Sequence, residues 1–219
     1  MSDARLFRDQ AESLSARHCV QIASLGNAES VRDMGDRVLT ALPATAILVG
    51  ASLGAMVAMD IARRAPDRVS RLVLIATDAL AELPAVAAAR DPMITQARAG
   101  RLDDAMAAAL PWESLAPGPG RTEVMDIALR MARRGGAERF QAHMRALQRR
   151  PDQQGTLRRL TIPTLLVCGT HDRLFPPRRH EVMAGLIPRG RLITLEEAGH
   201  LPTLEAPERM TAIIGDWAG

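Results

Sequence analysis

Ala46-Ile47-Leu48-Val49-Gly50-Ala51-Ser52-Leu53-Gly54-Ala55-Met56-Val57-Ala58-Met59-Asp60-Ile61-Ala62-Arg63-Arg64-Ala65 is the stretch on which the reading of this chain turns. It begins as an apolar run of buried-strand type, passes through small residues around Ser52, and continues with helical spacing. A backbone that goes from strand to helix within a few residues crowds its central position, so the residues two before and two after it should carry almost no side chain. Gly50 and Gly54 meet that demand. A serine on such a turn has its hydroxyl pushed beyond the sheet, and the first free N–H groups of the following helix favour negative charge developing in the same space. Ser is also a preferred N-cap, so five matching residues alone would say only that a helix begins at 53. The strand before and the helix after favour a nucleophile.

Outward from this turn the pattern alternates. Residues 4–17 read as a surface helix with Asp3 as N-cap, 18–25 as a short strand, and 27–42 as a helix closed by Pro43. Arg71 to Ala76 is another apolar strand. Strand character returns at Ile162 to Cys168 and at Arg191 to Leu195, with helices near 178–186 and 206–217. Such alternation predicts an α/β fold, a mostly parallel sheet with helices on both faces, whose ligands bind beyond the carboxyl ends of the strands. From Asp78 to about Leu160 the strand signal vanishes. Helical spacing broken at Pro92, Gly100, Pro111, Pro117 to Gly120 and Gly135-Gly136 predicts four or so helices in an insertion. The expected division is a core of residues 1–79 and 156–219 and a helical cap of 80–155, with Met125, Met131 and Met144 as candidate lining residues.

Composition narrows the function. A chain of 219 residues, 47% hydrophobic, can bury one sizeable core. All 28 basic residues are Arg, and they interleave with the 25 acidic ones to leave a net charge of +3. With no basic tract and only five aromatic residues, nucleic-acid binding is not expected. No run approaches the ~18–20 apolar residues of a membrane span and no signal-type run opens the chain, so a cytoplasmic protein is expected. Cys19 and Cys168 lie in strand-like segments and read as buried free thiols.

A serine hydroxyl needs a base, and the base needs an acid to hold its tautomer and offset its charge. Asp172 follows one buried strand and His200 the next, so both should project from the same sheet edge as Ser52, in the chain order Ser, Asp, His. Either alone reads as a turn or loop residue. Glu197 is the second choice as acid. His171 should point away from a tight turn, His143 lies in the cap, and His180 opens a helix. A metal site from His171, Asp172 and His180 lacks ligand spacing, so neither metal nor cofactor is expected.

The Gly50 to Gly54 turn, Cys168 to Asp172 with Pro176 beyond it, Gly199-His200 with Pro207-Glu208, and Ala65-Pro66-Asp67-Arg68-Val69 before Leu72 to Ile75 together resemble the α/β-hydrolase superfamily over nearly the whole chain. The resemblance implies Ser52 as nucleophile, Asp172 as acid, His200 as base and the Leu53 N–H as one oxyanion donor. Ala51 and Ala55 stand where the family often has His and Gly. Members usually begin with three further strands and a His-Gly loop that supplies a second oxyanion donor, and nothing here matches them. The third of those strands would lie between 18–25 and 45–49. A gap in the sheet is therefore expected unless those two segments pair directly or another chain fills it.

The activity implied is hydrolysis of a small ester, lactone or thioester through an acyl-enzyme. The alternative is a hydrolase-like binding module, or a shortened and weakly active gene product. The partner implied is a small acyl substrate, with no membrane, and a homodimer is left open.

Overall fold

Four of the apolar runs form strands: β1 (Ala46–Ala51), β2 (Val69–Ile75), β3 (Thr164–Gly169) and β4 (Gly190–Leu195). In the computed structural model, which describes residues 1–219, they make one parallel sheet in the order β1-β2-β3-β4. The register aligns Val49 with Val73, Val73 with Leu165, and Leu165 with Arg191.

The helices are α1 (Arg8–Leu14), α2 (Val31–Ala41), α3 (Leu53–Arg64), α4 (Pro84–Ala88), α5 (Arg90–Arg98), α6 (Leu102–Ala109), α7 (Arg121–Gln148), α8 (Gln154–Arg159), α9 (Pro177–Leu186), α10 (Pro202–Glu205) and α11 (Pro207–Ala218). Alternation along the central strands sorts the core into two layers. Val73, Ile75, Leu165 and Val167 meet Leu14 of α1 and Met210, Ile213 and Ile214 of α11. Leu72, Leu74 and Leu166 belong to the larger layer, with Met34, Met56, Met59 and Met183 from α2, α3 and α9. That layer extends into Ile94, Met106, Val124 and Phe140 of the helices between β2 and β3, so those helices share the core.

Several expectations are corrected here. Residues 18–25 are not a strand: residues 19–25 take part in no backbone–backbone hydrogen bond, and Val20 and Ile22 are 37% and 44% exposed. Their apolar alternation is local, whereas a strand exists only through a partner, and none lies within reach. Cys19 on this segment is consequently exposed, while Cys168 on β3 is buried. Pro92 does not break α5 because it lies in the first turn, where no intrahelical N–H is required. Gly135-Gly136 kinks α7, with Gly136 at φ 78°, and does not end it.

With 18–25 unpaired, the expected gap between two strands is instead an open edge of the sheet. β1 is bonded to β2 alone, and between its other edge and residues 18–26 lies a cavity of about 930 Å³, lined mostly by apolar side chains. The same cavity reaches Ser52 and His200.

Candidate active site

Ser52 stands where β1 ends and α3 begins, at φ 51° and ψ −117°. For a residue with a Cβ this is a strained conformation, costing ~1–3 kcal/mol, and it persists only where the surroundings over-determine it. The determinants are visible. The Ser52 N–H donates to the carbonyl of Ile75 on β2 at 2.9 Å, and its carbonyl accepts from the Thr77 hydroxyl at 3.0 Å. A Cβ on Gly50 would come within 2.5 Å of the Gly54 carbonyl oxygen, so the glycine is required there. The demand does not extend to Gly54, where a Cβ would meet nothing within 4 Å. Ser52 does not cap α3 through its side chain. Leu53, the first residue of that helix, has an N–H with no protein acceptor, as helix geometry leaves it.

Asp172 and His200 meet at the carboxyl ends of β3 and β4. The His200 Nδ1–H donates to Asp172 Oδ2 at 2.9 Å, which leaves the Nε2 lone pair free. The other carboxylate oxygen accepts from the N–H groups of Leu174 and Phe175 at 2.8 and 3.0 Å. Both residues are buried, and the Phe175 ring lies against the imidazole with centroids 5.7 Å apart. Ser52 and His200 border the same cavity, joined there by Leu53, Met106, Leu110, Met131 and Leu201. No hydrogen bond joins the Ser52 hydroxyl to His200 in this structure.

The second choices separate from the site. Glu197 is exposed and bonds nothing on His200, because the loop turns its side chain outward before Ala198. His143 is buried in α7, where Nε2 bonds the Gly26 carbonyl at 3.0 Å and Nδ1 lies 2.6 Å from the Met1 amine. His180 is fully buried under the site. Met131 lines the cavity, but Met125 and Met144 do not, Met144 being part of the core. No group of three or more His, Cys, Asp or Glu side chains is disposed to hold a metal ion.

Two features escaped the sequence. Glu205 on α10 accepts from the N–H groups of Ala116, Gly199 and Leu201 at 2.6, 2.9 and 2.7 Å and so clamps the loop on both sides of His200. Burial, the largest cause, holds its carboxyl above the usual range despite those three donors. Its position five residues after His200 was the available signal. The loop is also pressed close: the His200 N–H donates to the Ser114 carbonyl at 2.7 Å, and a Cβ on Gly199 would sit 2.2 Å from that oxygen. Thr77, behind Ser52, carried no signal beyond following a strand.

Comparison with known proteins identifies the family and the fold. Residues 10–207 match the model of the α/β-hydrolase fold. A pimeloyl-[acyl-carrier protein] methyl ester esterase of Aromatoleum aromaticum is 33% identical over 202 residues, 83% of this chain and 77% of that protein. A thermophilic esterase of Thermogutta terrifontis superposes with a TM-score of 0.86 at 25% identity, over 99% of this chain and 85% of that one. The enol-lactonase of Burkholderia xenovorans LB400 shares the fold at a TM-score of 0.83 and 22% identity, covering 99% and 87% of the two chains. A strained serine between β1 and α3, an Asp and a His paired at the ends of β3 and β4, and a family match across most of the chain lead to one assignment: this protein belongs to the α/β-hydrolase fold family and is a hydrolase.

Proposed function

We propose that the protein hydrolyses a small carboxylic ester, lactone or thioester, with Ser52 as nucleophile, His200 as base and Asp172 as the acid that holds the base. The observation that carries this reading is the 2.9 Å His200–Asp172 contact, which leaves Nε2 as an acceptor on the cavity that Ser52 also borders. As the Ser52 oxygen attacks the acyl carbon, Nε2 takes its proton, and the Asp172 carboxylate offsets the charge of the imidazolium. The Leu53 N–H receives the charge forming on the acyl oxygen. His200 then protonates the leaving alcohol or thiol, and water releases the acyl group by the same steps in reverse order.

The nucleophile–base hydrogen bond is commonly long in a free enzyme and shortens with substrate bound, so its absence here is compatible with the role. The helices of residues 80–155 act as the cap, bringing Met106, Leu110 and Met131 to the cavity as its apolar wall. The relative at 33% identity is named for a methyl ester, which makes methyl esters of short apolar acids the first substrates to try. Two free cysteines and no disulfide fit a reducing, cytoplasmic setting, and no helix is long and apolar enough to cross a membrane.

The test is Ser52→Ala, assayed on p-nitrophenyl acetate and butyrate, together with fluorophosphonate labelling of the unmodified chain. Rapid labelling at Ser52 and loss of turnover in the variant are expected. Unchanged turnover in Ser52→Ala would end the reading. The open edge of β1 and the unmade Ser52–His200 bond favour one alternative, a binding protein with little turnover, and folded protein that resists the probe would point to it.

A further inference from the structure

Thr77 follows β2 and is fully buried behind the Ser52 turn. Its hydroxyl donates to the Ser52 carbonyl at 3.0 Å, and its backbone N–H donates to Nε2 of His180 at 3.0 Å. Because Nε2 accepts there, the His180 proton sits on Nδ1, which faces the Pro176 carbonyl at 3.4 Å. Burial holds the His180 pKa below its ordinary value, which keeps the ring neutral and this pattern intact. Pro176 ends the loop that begins at Asp172. A connected line therefore runs from the Ser52 carbonyl through Thr77 and His180 to the loop that carries the acid.

The peptide unit is planar, so the C=O of Ser52 and the N–H of Leu53 are opposite sides of one rigid plate. A donor that fixes the first fixes the direction of the second. The other donors to that carbonyl, Ala55 and Met56 at 3.1 and 3.3 Å, are N–H groups of α3 itself. The Thr77 hydroxyl is the contact from outside the helix.

Resting on the hydrolase reading above, we propose that Thr77, held in place by His180, is a positioning residue that aims the Leu53 N–H at the oxyanion. It touches no substrate. Its effect appears where charge develops and not where substrate binds, which separates it from a residue that only holds the fold together.

The experiment compares the unmodified chain with Thr77→Val and Thr77→Ser on p-nitrophenyl butyrate. Each rate is divided by the active sites titrated with fluorophosphonate, and each enzyme is also titrated with a trifluoromethyl ketone that mimics the tetrahedral adduct. Removing an oxyanion donor outright costs about 10²–10³ in kcat, and misdirecting one should cost about 10-fold or somewhat more. Thr77→Val is expected to lose that factor in kcat and a similar factor in trifluoromethyl ketone affinity, with KM within about twofold. Thr77→Ser, which keeps the donor, should recover most of both. Replacing His180 by Gln, which can offer an oxygen near the Nε2 position, should be milder than His180→Leu.

A Thr77→Val enzyme with unchanged kcat per titrated site, or one whose kcat falls while ketone affinity stays, overturns the proposal. If Thr77→Val does not fold, Thr77→Cys, which keeps the volume and donates weakly, carries the same comparison. Ser52→Ala is run alongside: turnover surviving there would sink the hydrolase reading itself, whereas its loss with a normal Thr77→Val sinks only the role of Thr77.

Discussion

Changing Glu205 to Gln should loosen the histidine loop by an amount that can be worked out from its contacts. The carboxylate accepts three N–H groups, two on Oε2 from Ala116 and Gly199 and one on Oε1 from Leu201. An amide has one acceptor oxygen. If that oxygen serves Ala116 and Gly199, the NH2 group faces the Leu201 N–H, and a bond becomes a donor–donor contact. Hydrogen bonds to a charged acceptor are worth ~1.5–3 kcal/mol and neutral ones ~0.5–1.5, so one lost and two weakened bonds total about 4 kcal/mol.

Against this, the variant no longer buries a charge. Burial outweighs the three donors in the Glu205 pKa, so losing the charge offsets the weakening of the two retained bonds, and what remains is the Leu201 bond turned into a donor–donor contact, about 2 kcal/mol. For a chain of this size that lowers Tm by roughly 4–8 °C. His200 lies between two of the released N–H groups, so kcat should fall about 10-fold or more while KM changes little.

The effect also has a direction with pH. A carboxyl whose folded pKa is raised binds its proton more tightly when folded, so its contribution falls as pH rises from the unfolded pKa through the folded one. Glutamine lacks this dependence. The Tm gap between the two proteins should therefore be wider near pH 4.5 than near pH 8. Thermal melts at both pH values and steady-state esterase assays at neutral pH measure all three quantities. A Glu205→Gln protein that melts with the unmodified chain and turns over at the same rate would refute the clamp.

Three further outcomes follow from the same coordinates. Ser52→Gly relieves the positive-φ strain at the turn and should raise stability by ~1–2 kcal/mol, a Tm gain of several degrees with no activity; a lower Tm would contradict the strain. His143 has its pKa lowered to about 3, first by burial and then by the Met1 ammonium and Arg139. Its share of stability is thus complete above the unfolded value near 6.5 and drains away as pH falls toward 3, so urea midpoints should drop between pH 7 and pH 5 and do so less in His143→Gln. Hydrogen–deuterium exchange should be fast in peptides covering 19–25, intermediate over β1, where alternate amides lack a strand partner, and slow over β3; protection of β1 equal to β3 would mean its outer edge is paired.

Much of the fold and site was legible because the signals were repeated and local. Leu72 to Ile75 and Leu165 to Cys168 are apolar throughout, as strands covered on both faces must be, and each run ends in residues that leave the sheet at its carboxyl edge. Asp172 and His200 could be placed from that regularity alone. What failed was whatever depended on a partner distant in sequence. Residues 18–25 carry strand-like alternation and yet pair with nothing, and Cys19 was misplaced with them.

Glu205 and Thr77 were invisible for the complementary reason. A glutamate in Pro202-Thr203-Leu204-Glu205 looks like any exposed helix residue until the loop folds over it. A threonine after a strand looks like any turn residue until a carbonyl comes within 3.0 Å. From sequence His180 reads as a helix-opening histidine, whereas burial and two backbone contacts give it a specific place. Gly169 likewise gave no sign that a Cβ there would lie 2.2 Å from the Ala198 carbonyl oxygen, beside the loop that carries His200.

The open edge and the candidate site are compatible because Ser52 is referenced to the other side of its strand. The long-range bonds on the Ser52 backbone come from the β2 side: its N–H reaches Ile75, and its carbonyl is reached by Thr77. Ala76, between those two, is itself at φ 46° and is tied by its N–H to Val167 on β3 at 2.9 Å. Asp172 and His200 leave the ends of β3 and β4, and Thr170 after β3 is bonded to Leu195 of β4 at 2.9 Å. Ser52, Asp172 and His200 are thus all indexed to one continuous patch of paired backbone, β2 through β4, whose central strands are almost wholly buried. Loosening the outer edge of β1 costs stability and apolar exposure, but it removes no contact that sets where these three side chains stand.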